Sequence, residues 1–435
     1  MTSLWILFIS ALIFLYLVVC VIIKNRGLFS EHITFYGPAM GIKTENVAFF
    51  DYFKRFSRFF SAYGTLGIVI TILVSVGMVF MLLVSLDVLF AIQPEPTDLH
   101  KPQNMLLIPG LNEFVPSTLA VWFALIMTLI IHEFGHAILC RVENIKVTCM
   151  GLLLLVIPIG AFVEPDKDEV EQATPGSKMR MYGAGIANNV LMGLFCFALM
   201  TICIGFATPT SEPVLAGVYQ GYPAADAGVQ IPSTITAING EEVDSTAAVT
   251  EILKETVPGD KVTLQVKGQD TVVHEYTLTL AAWPEEMNTD SKSGFMGVYY
   301  HNGKAVIQAA QQLFSPMGIL YLLVLPFSQD AQSESLQILG FDSPNLMYYE
   351  TPFLGFWQII HILFWMGFIS LAVGLFNALP MAPLDGGQVF RDGIEWIFAH
   401  FGREQYASGV YSAVTSVILL MLLAVLFLPY LFHLS

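Results

Sequence analysis

Six runs of this chain are apolar for long enough to cross a bilayer: 3–23, 64–92, 116–140, 182–207, 353–379 and 408–432. A hydrocarbon core of about 30 Å takes roughly 20 helical residues. Inside it every backbone N–H and C=O must find a partner within the protein, so such runs fold as helices. The composition agrees, with 55% hydrophobic and only 12% charged residues, where soluble domains carry about 25% charged. The expected fold is a polytopic α-helical membrane protein with about six transmembrane helices. A further apolar stretch, 313–327, is shorter and holds Pro316 and Pro326. It reads as a re-entrant or surface-lying segment. The first run starts almost at Met1, with no basic n-region and no small-residue cleavage pattern. It reads as a retained anchor.

Loop charges suggest an orientation. Lys24, Arg26, Lys43, Lys54, Arg55 and Arg58 lie between the first two runs, whereas the loop 100–115 carries only Lys101. Arg141, Lys146, Lys167, Lys178 and Arg180 follow the third run, and Arg391 and Arg403 lie between the last two. The positive-inside rule puts these three basic stretches in the cytoplasm. The N-terminus and the polar block 208–312 are then extracytoplasmic. The net charge of -16 argues against a nucleic-acid partner. Five cysteines, Cys20, Cys140, Cys149, Cys196 and Cys203, sit in or beside apolar runs and form no CxxC pair. They imply neither a disulfide framework nor a cysteine zinc site.

The polar block reads as mixed α/β. Segments 214–219, 233–238, 261–267 and 274–280 have strand character, Asn239-Gly240 is a turn signal, and 247–256 has helical spacing. The run Gly221-Tyr222-Pro223-Ala224-Ala225-Asp226-Ala227-Gly228, followed by Ile238-Asn239-Gly240-Glu241-Glu242-Val243, resembles a PDZ domain of the bacterial, protease-associated type. The resemblance covers about 213–282 and implies a peptide or protein C-terminus as ligand, added at a strand edge. It departs from that pattern at Ile231-Pro232-Ser233, where Gly-Asp is usual.

The chemistry is carried by His132-Glu133-Phe134-Gly135-His136, inside the third apolar run. Histidines four residues apart on a helix share a face, and so suit two ligands of a tetrahedral zinc. Glu133, beside the first, can take a proton from water at the metal. Two histidines and a glutamate in a membrane helix are costly unless they serve a purpose. A third ligand is expected, and Asp385, at the end of the fifth run and followed by Gly386-Gly387, is the best candidate. Those glycines permit close backbone approach. One zinc shared by His132 and Asp385 requires their two helices to run in the same direction.

Taken together, HEFGH in one span and Asn377-Ala378-Leu379-Pro380-Met381-Ala382-Pro383-Leu384-Asp385-Gly386-Gly387 after a later one resemble the site-2 protease family of intramembrane metalloproteases. Two more features fit. Gly185, Asn189 and Gly193 match its GxxxNxxxG helix, and 151–166 looks like its membrane-associated β-hairpin. The resemblance implies Zn2+ held by His132, His136 and Asp385, and Glu133 as general base and acid. It implies Asn189 as a catalytic amide steadying substrate or oxyanion. Asn377 and the hairpin residues Gly160, Ala161 and Phe162 would contact substrate. The partners implied are a membrane-protein substrate with a transmembrane helix and the lipid bilayer itself.

The expected organisation is 1–113, N-terminal helices and cytoplasmic loop; 114–207, first part of the catalytic core; and 208–282, the PDZ-like domain. A connecting region, 283–352, is followed by the second part of the core, 353–391, and a C-terminal helix, 392–435. Two alternatives stay open. One is a non-catalytic PDZ-bearing membrane adaptor, which the intact Glu133 disfavours. The other is a prenyl-protein-type membrane zinc protease, whose third ligand is a glutamate in a later helix.

Overall fold

The computed structural model describes residues 2–210, 212–268, 272–284, 287, 291–328 and 331–433. The chain forms two compact units, one of residues 1–197 and 362–435, the other of residues 198–361.

The first unit begins with helix α1 (Thr2–Arg26), 25 residues that cover the first apolar run. Strands β1 (Ile33–Tyr36) and β2 (Ala39–Thr44) follow, turning at Gly37, whose φ is +62°. Helix α2 (Ser57–Ile92) is 36 residues long. Helix α3 (Leu119–Val142) starts where the Thr118 hydroxyl accepts the Val121 N–H, a standard N-cap. Strands β3 (Val147–Leu155) and β4 (Ile157–Pro165) form the expected hairpin. The sheet is larger than a hairpin: β1-β2-β3-β4 is four-stranded and antiparallel, with Ile42 opposite Leu152 and Gly151 opposite Phe162. The short helix α4 (Lys167–Gln172) leads into α5 (Pro175–Cys203).

The second unit holds β5 (Thr208–Pro209), β6 (Val214–Val218), helix α6 (Pro223–Asp226), β7 (Ser233–Ile238), β8 (Glu241–Glu242) and α7 (Thr246–Lys254). Strands β9 (Lys261–Lys267), β10 (Val273–Thr279) and β11 (Val298–Tyr300) complete a sheet of order β10-β9-β7-β6-β11, with β8 beside β7. Strand β11, which the sequence reading did not anticipate, pairs antiparallel with β6. Asn239 and Gly240 both have positive φ, 51° and 81°, as a tight hairpin turn between β7 and β8 requires. Leu215, Ile235, Val249, Leu264 and Val266 fill the interior. Helices α8 (Gly303–Gln311) and α9 (Pro316–Val324) meet at a bend of 117°. Even with its 3-10 continuation to Phe327, α9 rises roughly 18 Å, well short of a bilayer core. The short helix α10 (Ala331–Leu336) and strand β12 (Tyr349–Glu350), paired with β5, close this unit.

Helix α11 (Phe356–Asn377) returns the chain to the first unit, followed by α12 (Asp385–His400) and α13 (Ala407–Phe432). Among the described residues five helices are long and apolar enough to cross a membrane: Ala48–Ile92, Leu119–Val142, Pro175–Phe206, Phe356–Asn377 and Glu404–Phe432. With α1 they match the six apolar runs, and the fold is that of a polytopic membrane protein with a β domain. The apolar window of α11 is 67% buried and that of the last helix 11%. The first is therefore a central helix and the second a peripheral one that offers its side chains to lipid. Small residues let the backbones close up: a Cβ on Gly67 of α2 would lie 2.9 Å from the Gly183 oxygen of α5.

Candidate metal centre and active site

Three helices of the first unit converge on one point. His132 and His136 lie past the middle of α3, and Asp385 is the first residue of α12. His132 Nε2 is 2.9 Å from Asp385 Oδ2, His136 Nε2 is 3.3 Å from the same oxygen, and the two Nε2 atoms are 3.1 Å apart. Zinc–ligand bonds of about 2.05 Å at tetrahedral angles put neighbouring ligand atoms about 3.3 Å apart. Two imidazole nitrogens and a carboxylate oxygen at this spacing fit zinc in both chemistry and size.

Each of these candidate ligands is held from behind. His136 Nδ1 lies 2.9 Å from the backbone oxygen of Met181 on α5, so its proton sits there and Nε2 presents a lone pair. His132 Nδ1 faces Asn189 Nδ2 at 3.2 Å. Asp385 can come this close because of the two glycines after it. A Cβ on Gly386 would run into the Ala378 carbonyl, and one on Gly387 into the Met381 carbonyl. The stretch 378–384 cannot continue α11 through Pro380 and Pro383. It folds back instead and starts α12 beside the two histidines.

Two further glycines make room for the histidines. A Cβ on Gly185 would sit 2.5 Å from His136 Nε2 and 2.8 Å from His132 Cε1. One on Gly135, inside the HEFGH run, would meet the Ala184 backbone at 2.8 Å. Gly185 opens the GxxxNxxxG run, so its spacing marked a packing face; that the face packs against the ligands was not visible in sequence. Asn188 braces the same region: its Nδ2 donates to the Ile131 carbonyl over 2.7 Å, and its oxygen accepts from the Tyr63 hydroxyl of α2. The sequence reading passed over Asn188 for its neighbour.

Glu133 Oε2 accepts the backbone N–H of Val163 in β4, 2.9 Å away. Its carboxylate lies within 4.8 Å of the histidine ligand atoms. Strand β4 is the terminal strand of its sheet. Since Val163 turns its N–H away from β3, alternation along the strand gives Ala161 the same outward N–H and C=O.

A cavity of about 370 Å³ is lined by His132, Glu133, His136, Phe162, Asn377 and Asp385, among others. A second, of about 380 Å³, adjoins Glu133 on its apolar side, with Ala161, Phe162, Met150 and Leu152 in its wall. The Asn377 amide nitrogen points to His132 Nε2 from 3.5 Å, too long for a firm hydrogen bond. Asn189 is fully buried and lines neither cavity; it stands behind His132. Gly160 lies on β4 opposite Leu153, also outside both cavities.

The profile of peptidase family M50 matches residues 120–423, which include His132, Glu133, His136, Asn189, Asn377 and Asp385. The chain belongs to peptidase family M50, the site-2 protease family. This M50 chain is 27% identical over 245 residues to a zinc metalloprotease, RasP, of Shouchella clausii, covering 51% of this chain and 54% of that protein. It is 26% identical over 250 residues to the regulator of sigma-W protease RasP of Bacillus subtilis, covering 56% and 57%. The match spans little more than half the length of these relatives.

Proposed function

We propose that this M50 chain is an intramembrane zinc metalloprotease that hydrolyses peptide bonds in or near transmembrane segments of other proteins. The observation that carries the reading is the triangle of His132, His136 and Asp385 ligand atoms with the Glu133 carboxylate beside it, set among membrane helices. Bound zinc supplies Lewis-acid activation of water and of the scissile carbonyl. Glu133 takes a proton from the attacking water as the C–O bond forms, then delivers it to the amide nitrogen as the C–N bond breaks. The Val163 N–H donates to Oε2 and so holds the carboxylate in place beside the histidines. Asn377, with its amide aimed into the cavity, is the donor for the developing oxyanion.

A helical substrate hides its carbonyls in its own hydrogen bonds and must unwind first. An unwound segment finds a template on β4 in the outward N–H and C=O of Ala161 and the outward C=O of Val163, whose N–H is held by Glu133. Phe162 bounds the cavity where the adjoining side chains would sit, and Gly160 keeps the strand slim two residues earlier. Water enters from the cytoplasmic side, to which loop charges assign the C-terminal end of α3. The second unit is extracytoplasmic in this reading. Its sheet and two helices support the assignment of 208–282 as a PDZ-like domain that filters substrates by a peptide or C-terminus.

Replacing Glu133 with Gln in the full chain, followed by assay of a transmembrane test substrate in detergent, is the decisive experiment. Cleavage is expected to fall by at least about a thousandfold, with zinc content unchanged. Persisting cleavage overturns the mechanism.

A further inference from the structure

The histidine ligands are anchored by unlike groups. A backbone carbonyl, Met181 O, faces His136 Nδ1 and can only accept a hydrogen bond. His132 Nδ1 faces a side-chain carboxamide, which presents Nδ2 at 3.2 Å and leaves Asn189 Oδ1 buried with no hydrogen-bond partner. A buried acceptor left without a donor is destabilising, so it asks for an explanation. The nitrogen and oxygen of a carboxamide exchange places by a half-turn about its last bond. A ring bound to metal through Nε2 carries its proton on Nδ1 and needs an acceptor there. The turned amide supplies one.

We infer that Asn189 is a positioning residue for the metal site. Its Oδ1 accepts the Nδ1 proton of His132 and so fixes that ring's tautomer and orientation. The inference rests on the zinc reading above and deepens it.

The surroundings are built for this contact. Asn189 is fully buried, and α11 gives way beside it at Gly374, where a Cβ would lie 3.2 Å from Asn189 Cβ. One residue earlier, Asn188 fixes the backbone of α3 at Ile131. The adjacent pair thus holds consecutive residues of α3, one by its carbonyl and one by its ring. Thr128, one turn before His132, bonds to Ser370 Oγ of α11 at 2.8 Å, which ties the same stretch of α3 from another side. With α3 fixed on two faces, the remaining freedom at His132 is rotation of the imidazole, and that is the motion Asn189 stops.

Zinc affinity, measured on the detergent-solubilised full chain by competition with a chromophoric chelator, tests this apart from activity. Asn189→Leu keeps the bulk and removes the acceptor; it is expected to weaken zinc binding about ten- to a hundredfold. Asn189→Asp keeps an acceptor at the same place and is expected to bind zinc at least as tightly as the wild type. Asn377→Ala is expected to leave zinc affinity unchanged while cleavage falls. Wild-type affinity in Asn189→Leu overturns the assignment. So does weakened binding in Asn189→Asp, which also decides the matter where the leucine variant does not fold. A wild-type chain that binds no zinc, or one whose affinity survives His132→Ala, overturns the zinc reading itself.

Discussion

In the sheet of the second unit, the interior is Leu215, Ile235, Val262, Leu264 and their like. The buried Ser233 on β7 satisfies its hydroxyl locally, on the Gln230 carbonyl three residues back. In the helical unit, Thr128, His132, Asn189 and Ser370 are buried on three different helices and find one another across long stretches of sequence. A local bond such as that of Ser233 needs no other element in place. A cross-helix network pays off only when α3, α5 and α11 are all seated. Among membrane-spanning helices such an arrangement points to chemistry.

Substitutions can break this contrast. The largest effect is expected from Asp385→Ala, which removes the carboxylate ligand. Zinc per chain should drop below detection and cleavage of a transmembrane test substrate by at least about a thousandfold. Tight zinc binding in that variant would mean that another group completes the site. Gly185→Ala should follow, since its Cβ has no space beside either imidazole; zinc affinity is expected to fall about tenfold or more. Gly221 of the second unit makes the control. Its φ is +78° with nothing within 4 Å, so Gly221→Ala should cost about 1–2 kcal/mol of backbone strain and no zinc.

Leu264→Ala sharpens the contrast from the other side. It empties a fully buried position of the sheet and should destabilise that unit by about 2–5 kcal/mol, seen as earlier proteolysis on heating, with zinc stoichiometry intact. Loss of zinc there would mean the metal site depends on the second unit's core.

The smallest effect concerns pH. Burial alone would raise the Glu143 carboxyl, but Arg180, with Nε 2.7 Å from Oε1, and the Ser177 hydroxyl hold it below its ordinary value. A carboxyl depressed in the folded state adds stability that is fully present above its unfolded value, about 4.3, and is lost as pH falls through its folded value. Arg180→Gln should move the acid limb of a stability–pH curve upward, towards that ordinary value. An unmoved limb would show that the pair contributes nothing.

How much of this was legible in the sequence differs by kind of signal. His132, His136 and Asp385 could be singled out as candidates because ligand chemistry restricts residue type and spacing, and the structure brings the three together; the long spans were legible because bilayer thickness restricts length. Hairpin β3–β4 was expected, yet β1 and β2 were not: they are only 4 and 6 residues long, and β2 joins the sheet by pairing with β3, over a hundred positions away. Pairing at that range leaves no local trace. The stretch 313–327 reads as re-entrant or surface-lying from its length and prolines; the 117° bend between α8 and α9, at its start, left no sign in the sequence. The clearance at Gly185 and the hold of Val163 on Glu133 depend on which helix passes which, information that arises only when the chain is folded.

If substrate adds to the edge of β4 as proposed, that strand also sets a step length. Outward groups on β4 recur at every second residue, at Ala161 and again at Val163, so a strand laid along that edge keeps its hydrogen bonds only when it slides by two residues. A slide of one residue would turn its side chains to the opposite face. Successive cuts in one unwound segment should therefore fall two residues apart, and mass analysis of the product ends would read the spacing of β4 as a tick mark on the peptide.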